Sequence, residues 1–229
     1  VNFVGTGSYS DSVSVKTLLS NGGNIISEVD SLEHDTDIVR YNSLVQVDSD
    51  TYALAYSSTD EDGQITTFTI SADGTSVTEV TTLEHTTTWA RHNSLVQVDS
   101  DTYALAYSDN AGNGQITTFT ISADGSTITE VASVEHDAGD GTHNSLVQVD
   151  SDTYVLAYTG SGYDGYISTF TISADGTSIT EVASLEHDTS DARWNSIVKV
   201  DSNTYALAYT GENNNGYIST FTIPADGST

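Results

Sequence analysis

Arginines and aromatic residues at matched positions are the side chains in this sequence best suited to chemistry. Arg40, Arg91 and Arg193 are all of its arginines, and they recur at equivalent places. Tyr41, His92 and Trp194 directly follow them, and His143 takes the same slot where Thr142 replaces the arginine. The two tryptophans, Trp89 and Trp194, lie in the same class of segment. A guanidinium donates paired hydrogen bonds while an aromatic face stacks on a sugar ring. The predicted ligand-binding set is therefore Arg40, Tyr41, Trp89, Arg91, His92, His143, Arg193 and Trp194, with a glycan as the expected ligand. The competing reading is structural: the arginines offset local acidic charge and the aromatics close seams between units.

Other constellations carry less. A Glu-His pair recurs as Glu33/His34, Glu84/His85, Glu135/His136 and Glu186/His187. Neighbouring strand residues point to opposite faces, so such a pair makes no dyad. A structural histidine hydrogen-bonding across units is expected instead. The segment 59–63, TDEDG, offers hard oxygen ligands for calcium, but calcium needs six to eight oxygens at fixed places and the other units supply Asn, Gly and Ser there. No cofactor is expected beyond that calcium possibility, and His92 and His143 have no local partner at metal-ligand spacing. A nucleophile elbow, a phosphate-binding glycine loop and a zinc-helix motif are all missing. Paired carboxylates for glycoside hydrolysis stay open, since the chain has 33 acidic residues.

The acidic residues face only 5 basic ones, a net charge of -28. That balance disfavours nucleic acid, whose binding needs clustered Lys and Arg, and it disfavours anionic membrane surfaces. It suits a salty external medium or divalent cations, and composition does not choose between them. No apolar run is long enough to span a membrane as a helix. Cysteine is absent, so no disulfide contributes. Methionine is absent as well, so a processed chain or a piece of a longer one is expected.

The elements that must position these residues repeat. NSLVQVDSDTYALAYS begins at Asn42 and recurs at Asn93, with close versions from Asn144 and Asn195, so the unit is 51 residues long. Within one unit, period-two alternation predicts strands at 43–47, 51–57, 64–70 and about 77–83. Asp48-Ser49-Asp50 and Ala72-Asp73-Gly74 supply the turns. Four strands in a unit of this length predict the blade of a β-propeller. The fold class is thus all-β: one domain over 1–229, of four-stranded antiparallel blades. Residues 1–34 align with the last three strands of a unit, and the final unit stops after its third. Five blades with incomplete terminal blades are expected, and the unpaired terminal strands invite a homo-oligomer. In an antiparallel meander the loops after strands two and four share one rim. The variation between units concentrates there, which is where function on a scaffold usually lies.

At NSLVQVDSDTYALAYS, TFTISADGT and EVASLEHD the sequence resembles highly repetitive propeller-like proteins of environmental, particularly marine, bacteria and their phages. That resemblance implies a propeller with an extracellular role at a cell or virion surface, and it implies no activity. The function expected from the sequence is a non-enzymatic, lectin- or adhesin-like scaffold that recognises a glycan or cell surface. A spacer array without a ligand and a carboxylate-based glycoside hydrolase are the alternatives.

Overall fold

The computed structural model describes residues 26–228. The partial unit expected at 1–34 lies mostly outside that range, and its described part, 26–34, holds no strand. The rest is all-β, with four antiparallel meanders. The first sheet runs β1 (Arg40–Gln46), β2 (Thr51–Ser57), β3 (Asp62–Ile70) and β4 (Val77–Trp89). The second is β5 (Arg91–Gln97), β6 (Thr102–Ser108), β7 (Gly114–Ile121) and β8 (Ile128–Asp137). The third is β9 (Thr142–Gln148), β10 (Thr153–Thr159), β11 (Gly165–Ile172) and β12 (Ile179–Asp188). The last has three strands, β13 (Arg193–Asp201), β14 (Thr204–Thr210) and β15 (Gly216–Thr222). These are propeller blades, as the repeat predicts.

The alternation in TYALAYS explains how blades stack. The two faces of the second strand differ in size. Its alanines, such as Ala53 and Ala55, make a shallow face that the next blade fills with Leu95, Tyr103, Leu105 and Phe119, all buried. The same arrangement joins the second blade to the third and the third to the fourth. Each large side chain so buried contributes about 1.5–3 kcal/mol, and the core is a series of seams between blades.

Polar ties fix the blades' relative positions. Thr67 Oγ1 donates to the carbonyl of Gly125 in the next blade at 2.7 Å, and Thr118 to Gly176 and Thr169 to Gly227 do the same at 2.7 Å. Those glycines stand at φ +71°, where a side chain would also press on the threonine. On the inner side, Ser43 Oγ accepts from Leu95 N at 2.9 Å, Ser94 Oγ from Leu146 N at 2.9 Å and Ser145 Oγ from Ile197 N at 3.1 Å. The first strands β1, β5, β9 and β13 therefore lie side by side along the propeller axis.

The first strand begins earlier than the alternation predicts, at residue 40 instead of 43. The Arg-aromatic pairs consequently belong to the inner strands rather than to the preceding loops. The reason is a bulge, which restores pairing after an irregular step and leaves no periodic signal in the sequence.

Candidate functional site

In the bulge Arg40 pairs with Ser57, and pairing resumes only at Ser43 with Ala55. Equivalent breaks occur in the other three blades. The residue just inside each break is left-handed: Tyr41 at φ 57°, His92 at 57°, His143 at 52° and Trp194 at 59°. None is glycine, so each conformation costs about 1–2 kcal/mol. The bulge turns these side chains toward the axis, where they touch in sequence. Ring centroids are 4.7 Å apart for Tyr41 and His92, 4.2 Å for His92 and His143, and 4.4 Å for His143 and Trp194. His92 and Trp194, two repeats apart, are still within 6.3 Å, so the row curves around the axis.

The next residue in every repeat is an asparagine. Asn42, Asn93, Asn144 and Asn195 join the four rings in lining a recess of about 160 Å³. Asn144 is nine-tenths buried. Its Nδ2 donates to the Gly141 carbonyl at 3.0 Å while its Oδ1 has no partner. Asn195 likewise donates to the His143 carbonyl, at 3.3 Å, and keeps a free Oδ1. Asn93 has neither amide atom paired. Buried amides without partners cost stability unless something else satisfies them. Three free acceptors and one free donor suit a hydroxyl-rich ligand.

Both axial histidines are neutral at pH 7. Burial lowers His92 to about 3, helped by the positive charges that His143 and Arg91 would oppose to it. Burial lowers His143 to about 4, with Arg193 adding to the effect. The His143 Nδ1 lies 3.2 Å from Thr142 Oγ1 and 3.4 Å from Thr159 Oγ1, which orients the ring.

The arginines do other work. Arg40 reaches Glu61 at 3.1 Å, and Arg91 pairs with the same carboxylate. The Arg91 guanidinium also lies 3.5 Å from the centre of the Trp89 ring. Arg193 pairs with Asp191 at 3.1 Å and stacks 4.0 Å from the centre of Tyr163. The predicted set thus divides in two. Tyr41, His92, His143 and Trp194 share the recess, whereas Arg40, Arg91, Trp89 and Arg193 are engaged along the rim. Glu61, the central acid of segment 59–63, is held by two arginines, and the described residues contain no group of three potential metal ligands.

The Glu-His expectation needs a correction. His85 does cross to the next blade, but no hydrogen bond satisfies either ring nitrogen. Its ring packs edge-on against Tyr107 at 5.2 Å and Phe119 at 5.5 Å. Burial holds it neutral, near pKa 4, so it behaves as an aromatic wedge. The asparagines were missed because an invariant repeat position reads as scaffold. A polar residue beside a variable aromatic at the head of every inner strand was the available signal.

Residues 3–150 match a family model described as Lactonase, 7-bladed beta-propeller. No curated protein matches. Among solved structures, a putative 6-phosphogluconolactonase from Bacteroides fragilis aligns with a TM-score of 0.57 at 14% identity, over 87% of this chain and 52% of that one. A mutant of the NanB sialidase from Streptococcus pneumoniae gives 0.55 at 11%, over 81% and 31%. An α-L-arabinofuranosidase from Lactobacillus brevis gives 0.52 at 16%, over 83% and 74%. The chain thus spans about a third to a half of the first two, and at these identities the likeness is one of fold. The family match overturns the expectation of a non-enzymatic, lectin-like scaffold: it points to a hydrolase-type propeller. The sequence did not show this, because it carries no local hydrolase motif.

Proposed function

Because the chain belongs to the seven-bladed lactonase propeller family, we propose that it hydrolyses the ring ester of a hydroxyl-rich lactone at the axial recess. One observation carries the reading: two neutral imidazoles, 4.2 Å apart, face unpaired asparagine amides in one recess. The recess lining includes no carboxylate, so the chemistry rests on imidazole and not on a pair of acids.

The steps follow from these groups. The free Oδ1 atoms of Asn144 and Asn195 accept hydroxyl hydrogens of the substrate. A neutral His143, oriented by its two threonines, takes a proton from water as the water oxygen adds to the lactone carbonyl. The Asn93 amide donates to the oxygen that becomes negative. The ring C–O bond then breaks, and the imidazolium returns its proton to the leaving alkoxide. With a pKa near 4 that imidazolium gives its proton up readily. The product is an open-chain hydroxy acid.

The test is hydrolysis of glucono-δ-lactone and related sugar lactones, followed by pH-stat above the spontaneous rate. Replacing His143 with Ala should lower kcat/KM by about 100-fold or more, with circular dichroism unchanged. The wild-type rate should hold from pH 7 to pH 5, because both rings stay neutral there. A wild-type chain that does not accelerate opening of any sugar lactone would refute the reading.

A further inference from the structure

After each fourth strand the chain turns inward through one small, buried residue: Ala90, Gly141 or Ala192. Two residues later it reaches the axial ring, His92, His143 or Trp194. The N–H of each corner is tied to the loop after the second strand. Ala90 donates to Glu61 O at 2.9 Å, Gly141 to Gly112 O at 2.8 Å and Ala192 to Tyr163 O at 2.8 Å. The corner carbonyls are held differently. Ser57 Oγ donates to the Ala90 carbonyl and Thr159 Oγ1 to the Ala192 carbonyl, each from the preceding blade. Ser108 stands at the equivalent place, yet it donates to the Arg91 carbonyl at 3.3 Å. The Gly141 carbonyl accepts from Asn144 Nδ2 instead, at 3.0 Å. That bond joins the corner to the recess and not to the preceding blade.

A side chain takes the place of the missing tie. β7 and β8 pair at Gly114 with Asp137 and at Gln115 with Glu135, so His136 is the extra residue of a bulge. A bulge re-aims the side chain it carries. Here the ring lies over Gly114 and beside Gly141. A Cβ on Gly114 would overlap His136, and one on Gly141 would overlap Gly114 and come within 3.3 Å of His136 Cε1. The ring also packs edge-on against Tyr158 of the third blade at 4.8 Å. Neither ring nitrogen has a partner, so the ring acts by its shape.

We infer that His136 is a positioning residue for the proposed hydrolysis: it sets the corner at Gly141, and through that corner the His143 base and the Asn144 acceptor. This role rests on hydrolysis at the axial recess and extends it to a residue outside the recess lining. The path is short. Gly141, Thr142, His143 and Asn144 are consecutive, and Asn144 closes the turn by its bond to Gly141. Thr142 Oγ1, within the same turn, lies 3.2 Å from His143 Nδ1. Moving Gly141 therefore moves the base and the substrate acceptor together. His85 sits in the same kind of bulge and overlies Gly63 in the same way. Its corner, Ala90, has the Ser57 hydroxyl as a second hold, so the dependence on the ring is greatest at Gly141.

Three full-length variants test the role. His136→Ala removes the wedge. Gly141→Ala pushes the corner off Gly114 with a residue that the fold accepts at the other two corners. Thr118→Val weakens the same seam between the second and third blades at the opposite rim. Each is measured where circular dichroism shows it folded. His136→Ala and Gly141→Ala should lower kcat for sugar-lactone opening by about 10- to 100-fold, because a misplacement near 1 Å suffices for that loss, and should raise KM. Thr118→Val should leave both constants unchanged.

A second readout needs no turnover. With Trp89→Phe, Trp194 is the only tryptophan, and its ring centroid lies 4.4 Å from that of His143. Its fluorescence should change when His136→Ala or Gly141→Ala is added and hold when Thr118→Val is added. A wild type inert toward lactones would refute the hydrolytic reading, while this emission still tests the corner. Trp194 emission unchanged in both corner variants, or kinetic constants in both no different from those of Thr118→Val, would each overturn the role of His136.

Discussion

His85 and His136 show how a titratable residue can serve as an apolar one. Each packs edge-on against a Tyr and a Phe of the following blade. Each also occupies space that a glycine leaves open: a Cβ on Gly63 would lie 2.4 Å from His85 Nε2, and one on Gly114 2.3 Å from His136. Burial depresses both to about 4, and the axial His92 and His143 to about 3 and 4. The unfolded chain, with histidines near 6.5, binds more protons than the fold between pH 6.5 and 4. Stability from these residues is therefore complete above pH 6.5 and is lost as pH falls toward 4. Urea unfolding at pH 7.5, 6 and 5 should give progressively lower midpoints, and a midpoint constant over that span would contradict the burial of neutral rings.

At the scale of the blade, seams are held by apolar area and by a few directed bonds. Thr118 is buried between blades, and its Oγ1 is the donor to the Gly176 carbonyl. Thr118→Val keeps the shape but leaves that carbonyl buried without its partner, a cost of about 1–3 kcal/mol. The loss should appear as a lower urea midpoint with an unchanged slope. An equivalent change at the exposed Thr78 should have little effect.

For the whole molecule the dominant electrostatic fact is self-repulsion. The net charge is -28, and the described residues contain three ion pairs. Added salt shortens the screening length to about 10 Å at 0.1 M, which weakens repulsion across the surface more than it weakens those few contacts. Thermal stability should rise between 20 mM and 0.5 M sodium chloride, and a fall would show that attractive pairs dominate instead.

The 51-residue period and the alternation of TYALAYS determined the four-stranded blade, its turns and the way one blade's alanine face receives the next blade's tyrosine and leucine. These are local or nearest-neighbour properties, and side-chain size along a strand encodes them directly. The positions of interest on the rim and axis were also legible, since the repeat varies there. Their grouping was not. Tyr41, His92, His143 and Trp194 meet only because four blades converge on one axis and because bulged, left-handed residues turn inward. The arginines beside them in sequence point elsewhere, toward Glu61, Trp89, Asp191 and Tyr163. Contacts among residues 51 apart depend on the angle between blades, and that angle exists only in the assembled fold.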